Sequence, residues 1–293
     1  MYFKQTAGEK LFNAFNVVVL TFVALIALYP FIYTLSMSLS SAKEANRSSL
    51  HLYPKEISVT AYKMVFSNPA IFTGFGNAVA RTVAGTILTI LSTCLAAYPL
   101  ARKQMPHRGA ITFLILFTMI FTGGLVPNYL LIRSLGLYNS IWSLILPLML
   151  SAFNIIIVKN FFQAIPESFG ESARIDGASE FTILFRIYMP LSKPVLATIA
   201  LWTAVLHWNS WFDAMIYISD DKKQVLQSFL QRIVIEGSTQ LMEAGLTDPS
   251  VTEFTGETIK AATVIVTIVP IVIFYPFMQR YFLRGIMLGG IKE

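Results

Sequence analysis

Polar residues punctuate this chain rarely and in clusters. No charged side chain lies between Lys10 and Lys43, Arg81 and Arg102, Arg108 and Arg133, Arg133 and Lys159, Lys193 and Asp213, or Lys260 and Arg280. Each window is apolar over a length that, at about 20 residues per crossing, carries a helix through a bilayer core. The windows predict six spans, at about 12–37, 77–101, 109–132, 139–161, 194–214 and 261–281. A β-barrel would instead alternate apolar and polar positions over stretches of roughly ten residues. The pattern is that of an all-α polytopic membrane protein with six transmembrane helices, and the even number of crossings puts both termini on one side.

Composition agrees: of 293 residues 55% are hydrophobic and 13% charged, with a mean hydropathy of +0.63, against about 25% charged in soluble domains. The first window is about twice the length of a signal-peptide core and is closed by no small-x-small site, so it reads as a retained helix. Lys and Arg fix the orientation. The N-terminus, the 102–108 turn, the 159–193 segment and the C-terminus together hold twelve bases and six acids, whereas the opposite side holds nine and ten, with Arg81 at a span end. The first set is therefore cytoplasmic. The net charge of +6 reads as topology and gives no sign of nucleic acid. Cys94 is the only cysteine, so no disulfide framework exists.

The chain reads as a single integral domain over 1–293, with external connections at 38–76 and 215–259. Val225, Leu226, Phe229, Leu230 and Ile233 recur at helical spacing in the second of these, predicting a surface helix whose apolar face packs on the protein's own outer ends or on another subunit.

Several chemistries are missing. No Gly-Lys pair occurs, so there is no phosphate-cradling loop of the Walker type, and Gly74-Phe75-Gly76 lacks the third glycine of a dinucleotide fingerprint. His51, His107 and His207 are scattered without Cys or carboxylate at ligand spacing, which argues against a metal site. The spans carry almost no acids, Asp213 lying at the outer end of the fifth, so the buried carboxylates of a proton relay are not in evidence. A chain with neither fuel site nor ion-coupling site must draw any driving force from a partner.

One cytoplasmic segment, 165–190, is built differently. Pro166 suits the first turn of a helix and Glu167 its positive end, with Ile165, Phe169 and Ala173 on one face. Gly177 supplies a left-handed stop. Ser179 caps a second helix whose stripe is Phe181, Leu184, Phe185 and Tyr188, before Pro190. The unit is a helix, a glycine bend and a helix, with small residues at its tip and charges on its rim. It suits a groove in another protein, or else lies on lipid headgroups; mixed charge signs and the bend argue against the latter.

The run ESARIDGASEFTILFRIYMPLSKP resembles the EAA motif of binding-protein-dependent ABC importer permeases. Glu171, Ala173, Asp176, Gly177, Ala178, Phe185, Pro190 and Pro194 match it, and Ser172 stands where the motif has alanine. With the ending RYFLRGIMLGGIKE, the resemblance extends over nearly the whole chain to the maltose-type permeases of carbohydrate importers. The run HWNSWFDAMIYISDDKKQVLQSFLQRI is similar to an LplC-like branch that includes permeases for alginate or pectin fragments. This resemblance implies a type I importer permease fold in a bacterial cytoplasmic (inner) membrane, with no catalysis and no cofactor on this chain. It implies ATP and Mg on two ABC ATPase subunits, a second homologous permease, an extracytoplasmic sugar-binding protein, and an ATPase contact at Glu171, Ser172, Ala173, Arg174, Asp176, Gly177, Ala178 and Ser179, assisted by Gly289 to Glu293. The alternative is a stand-alone channel or ion-coupled secondary carrier.

A saccharide path needs aromatic faces beside hydrogen-bonding groups. Trp202 and Asn209, seven apart on the fifth span, with His207 and with Asn154 on the fourth, are the candidates. Trp208 and Trp211 read as an interfacial belt, Asn154 equally as an interhelical hydrogen bond, and Arg81 as a side chain snorkelling to the outer surface.

Overall fold

The computed structural model describes residues 6–47, 50–236 and 255–289; residues 290–293 of the expected tail contact and 237–254 of the outer segment lie outside them. Among the described residues there is no strand, only an isolated bridge between Ser40 and Ile57. Contacts divide the chain into two compact units, Met1–Asn68 with Arg232–Ile268, and Pro69–Gln231 with Val269–Glu293.

In the first unit, helix α1 (Ala7–Ser38) begins in a capping box. The Glu9 N–H donates to the Thr6 hydroxyl at 3.3 Å and the Thr6 N–H to the Glu9 carboxylate at 2.7 Å. Its 32 residues span about 48 Å, and its most apolar stretch buries no side chain. Short helices α2 (Ala42–Ala45) and α3 (Thr60–Ser67) follow. Between them the chain wraps around Glu44, 5% exposed, whose carboxylate accepts the backbone N–H groups of Lys55 and Glu56 at 2.8–2.9 Å. Burial pushes this carboxyl up, but those hydrogen bonds and the nearby His51 and Lys55 hold it below the usual range.

The second unit is organised around α4 (Pro69–Ala101), whose 33 residues cover about 50 Å. Gly74, Ala78, Arg81, Gly85, Thr89, Thr93 and Ala97 recur three or four residues apart along its buried face, and all but Arg81 are small, the pattern that lets helices approach closely without a hydrophobic drive between them. Helices α5 (Arg108–Ile120) and α6 (Leu125–Ser134) are turned 114° apart at a break where Gly124 has φ +82. Helix α7 (Trp142–Ile145) and a 3-10 turn holding Pro147 meet α8 (Ala152–Ala164) at 50°. After α8 come α9 (Ser168–Ile175), α10 (Glu180–Ile183), a π-helix (Leu184–Tyr188) and α11 (Met189–Leu191), then an 83° bend into α12 (Lys193–Asn209). Helices α13 (Phe212–Tyr217) and α14 (Leu226–Glu236) precede α15 (Gly256–Gly289), which runs through both units.

Three helices are long and apolar enough to cross a membrane, and each of three bent pairs adds one if counted as a single span, giving up to six. Up to six spans agrees with the six expected; the third and fourth windows hold bent helix pairs rather than rods, and the third bend falls at Ser192, just ahead of the fifth window. Helix α14 forms where expected. Val225 and Leu226 are buried, and the Leu226 backbone sits 3.2 Å from where a Cβ on Gly74 would be, so this end packs on the protein itself.

Candidate functional site

The 165–190 segment is a rigid knuckle. Helix α9 closes in a Schellman turn: the Gly177 N–H donates to Arg174 O at 3.0 Å and the Ala178 N–H to Ala173 O at 2.9 Å, with Gly177 at φ +80. Ser179 then caps α10, its hydroxyl accepting the Thr182 N–H at 3.3 Å. Glu171, Ser172, Asp176, Gly177 and Ser179 are exposed, while Ala173 and Ala178 pack against the core. The tip also carries Ile175, 87% exposed, a large apolar knob absent from the expected contact set although it lies inside the motif.

The expected stripe of the second helix splits. Leu184 and Tyr188 are buried at 2% and 4%, whereas Phe181 and Phe185 are exposed at 67% and 43%. The wider π turn, in which the Met189 N–H reaches back to Leu184 O, rotates the register away from the 3.6-residue period.

Beneath the knuckle lies a charge-and-ring knot that the sequence reading missed. Glu180 accepts from Arg174 Nε at 2.8 Å, from Tyr98 Oη at 2.5 Å and from Arg102 Nη2 at 2.8 Å. The Arg102 guanidinium lies 4.7 Å from the Tyr98 ring centre and 5.7 Å from that of Tyr188. Tyr98, Phe162 and Tyr188 meet edge to face at 5.1–6.4 Å. Burial pushes the Glu180 carboxyl up, but its bonds from Arg174 and Tyr98 prevail and hold it below the usual carboxylate range. The hydrogen bond to Glu180 raises Arg174 in turn. The ends of α4 and α8, the tip helix and the π-helix are thereby tied at one point.

Asn154 and Trp202 come together: the Trp202 indole N–H donates to Asn154 Oδ1 at 3.0 Å. Both line a cavity of about 690 Å3 at the break before α8. His207 and Asn209 do not line it. His207 is 1% exposed, with neither ring nitrogen hydrogen-bonded, and its ring lies 2.4 Å from where a Gly85 Cβ would stand. Asn209 is exposed at the last residue of α12. Trp208 is 6% exposed and edge-on to Phe75 at 5.8 Å, so it is not an interfacial residue.

Arg81 does not snorkel. It is 0% exposed, donating to Ser210 O at 2.9 Å, to Leu144 O at 3.3 Å and to Asp213 Oδ1 at 3.2 Å, with a second, shorter contact to Asp213 Oδ2. Asp213 Oδ1 also accepts from the Ser210 hydroxyl and the Ala214 N–H, each at 2.9 Å. A buried cation in a span needs such a partner. Among the described residues no group of His, Cys, Asp or Glu has metal-site geometry.

Residues 70–288 match the family model described as "Binding-protein-dependent transport system inner membrane component". The chain is 38% identical over 288 residues to the protein LplC of Bacillus subtilis (strain 168), covering 98% of this chain and 97% of LplC. It is 39% identical over 289 residues to the polygalacturonan/rhamnogalacturonan transport system permease protein YtcP of the same organism, covering 97% and 99%. A crystal structure of a bacterial ABC transporter involved in the import of the acidic polysaccharide alginate contains a chain superposing with a TM-score of 0.89 at 34% identity, over 96% of this chain and all of that one. A polytopic helical chain with an exposed, anchored knuckle and these relatives belongs to the binding-protein-dependent ABC transporter permeases of the inner membrane.

Proposed function

We propose that this chain is the permease subunit of an ATP-driven importer for oligosaccharides or polysaccharide fragments, forming half of the translocation path. The observation that carries the proposal is the knuckle itself: an exposed tip with Ile175 at its apex, bonded at its root to the end of α4 through Glu180 and Arg102 and packed on α8 through the Phe162 ring. Two ABC ATPases, holding ATP and Mg, dock on this knuckle and on that of a second homologous permease. A sugar-binding protein delivers substrate to the outer loops, and the charge bias of the chain places both termini on the cytoplasmic side. Closure of the ATPases displaces the tips, and the knot passes that displacement to the spans. This chain hydrolyses nothing.

The sugar assignment is supported by the relatives named for polygalacturonan/rhamnogalacturonan transport and alginate import, and by the pairing of an indole with an amide in the membrane cavity. Asn154 and Trp202 are the substrate-path residues that this reading retains.

Gly177→Arg tests it. A Cβ at Gly177 meets nothing within 4 Å, so the cost to the fold is the left-handed backbone, about 1–2 kcal/mol, while the added bulk blocks the tip. Loss of ATPase copurification and of ATP-dependent uptake is the expected result. Unchanged uptake would instead favour a stand-alone channel or ion-coupled carrier.

A further inference from the structure

The break before α8 leaves a hydrogen-bonding imbalance. Helix α8 opens at Ser151, whose side chain caps nothing, and its first intrahelical bond is the Ile155 N–H to Ser151 O at 3.0 Å. The N–H groups of Ala152, Phe153 and Asn154 are thus the orphan donors of a 13-residue helix. Two acceptors near them are already engaged, Met149 O by the Ser92 hydroxyl at 2.9 Å and Asn154 Oδ1 by the Trp202 indole at 3.0 Å. Asn154, 5% exposed, lines the cavity with its amide Nδ2 in no hydrogen bond among the described residues. Thr203, 4% exposed, lines it too, its hydroxyl likewise unengaged. No Asp or Glu is among the lining residues.

The cavity presents these N–H groups, Asn154 Nδ2 and the Thr203 hydroxyl at the positive end of a half-helix inside a membrane span, an arrangement that suits an anion. Having no Lys or Arg among its lining residues either, it offers fractional charge only, which suits a solute that must leave again. The Trp202 ring adds an aromatic face for a sugar's C–H side.

Resting on the importer reading above, we propose that this cavity is a transit subsite for the carboxylate of a uronate residue, held by the α8 N-terminus, Asn154 Nδ2 and Thr203, with its ring against Trp202. The chain then contacts substrate directly and favours acidic over neutral saccharides.

The test uses the complete transporter in nanodiscs without binding protein, with trigalacturonate and its neutral methyl ester as probes, followed by tryptophan fluorescence. Ser151→Asp is the chosen variant because Asp is a favourable N-cap, so the helix is kept while the donors are occupied and a like charge is introduced. The acid is expected to bind wild type more tightly than the ester. Ser151→Asp should weaken acid binding roughly tenfold, the size that a partly buried charge at a helix end reaches, and leave the ester unchanged. Thr203→Val, a near-isosteric change, should weaken the acid more than the ester. Equal binding of acid and ester to wild type, or equal loss of both in Ser151→Asp, overturns the subsite while leaving the importer reading intact. If the complex with its binding protein takes up no oligosaccharide of either kind, the importer reading itself fails.

Discussion

Removing the Asp213 carboxylate should be among the most damaging single changes to this chain. Arg81 is 0% exposed and Asp213 is the only acid it pairs with among the described residues. Asp213→Ala leaves a fully buried guanidinium with only the carbonyls of Ser210 and Leu144 as acceptors, and strands the Ser210 hydroxyl and Ala214 N–H that the carboxylate had satisfied. Breaking a buried pair by removing one partner costs about 3–5 kcal/mol. At about 2–4 °C per kcal/mol for a domain of 150–250 residues, Tm should fall by roughly 6–20 °C. Replacing both ions is different in kind. In Arg81→Met/Asp213→Leu neither charge is stranded, and most of the loss should be recovered, since apolar substitutes of similar volume are often neutral or better. The assay is thermal unfolding of wild type, Asp213→Ala, and Arg81→Met, Asp213→Leu and their double variant in one detergent, the last three read with wild type as a double-mutant cycle. If Asp213→Ala leaves Tm unchanged, or the double variant is as unstable as the sum of the singles, Arg81 is not held by Asp213 in the folded protein and the account of this clamp is wrong.

Ile175→Asp changes an 87% exposed side chain, so Tm should move little, within about 0.5 kcal/mol of stability, while affinity for the ATPase partner in a pull-down titration drops at least roughly tenfold; equal affinity would remove Ile175 as the anchor. Glu180 has its carboxyl lowered from 4.5, so what it contributes to anchoring the knuckle is fully present above about pH 4.5 and is lost as pH falls through the lower folded value. Protection from hydrogen exchange in α9, corrected for the intrinsic rate at each pH, should therefore fall in acid for wild type, and Glu180→Gln should show the lowered protection already at pH 7. Gly85→Ala puts a methyl within 2.4 Å of the His207 ring, an overpacking change expected to cost about 1–3 kcal/mol and to be relieved by His207→Ala; additive losses in the pair would contradict the packing described.

What the sequence disclosed was local or periodic. The Gly177 stop and the Ser179 cap were legible because each is decided within a few residues, and the span windows because hydropathy accumulates along the chain. The bends were hidden by the same averaging: Gly123, Gly124 and Pro127 lie inside an apolar window that satisfies a span by length while its backbone turns 114°. Long-range pairing was not legible. Arg81 reads as a snorkelling residue when its partner is 132 positions away, and Glu180 reads as rim charge because Tyr98 and Arg102 lie 82 and 78 positions upstream. Tyr98 and Arg102 stand four apart near the end of α4, the one clue that they share a face. Of the residues singled out by their chemistry, Asn154 and Trp202 meet at one cavity while His207 lies buried away from it, because a buried imidazole and a lining one look alike in sequence.

The π-helix at Leu184–Tyr188 gives the link between knuckle and α12 a spare residue. A turn closed by the Met189 N–H on Leu184 O holds one amino acid more than ordinary helix needs. Excising a single position there restores regular winding, whereas the same excision in α12 would throw every later side chain about 100° off its neighbour. This short stretch is thus where the polypeptide tolerates a change of length.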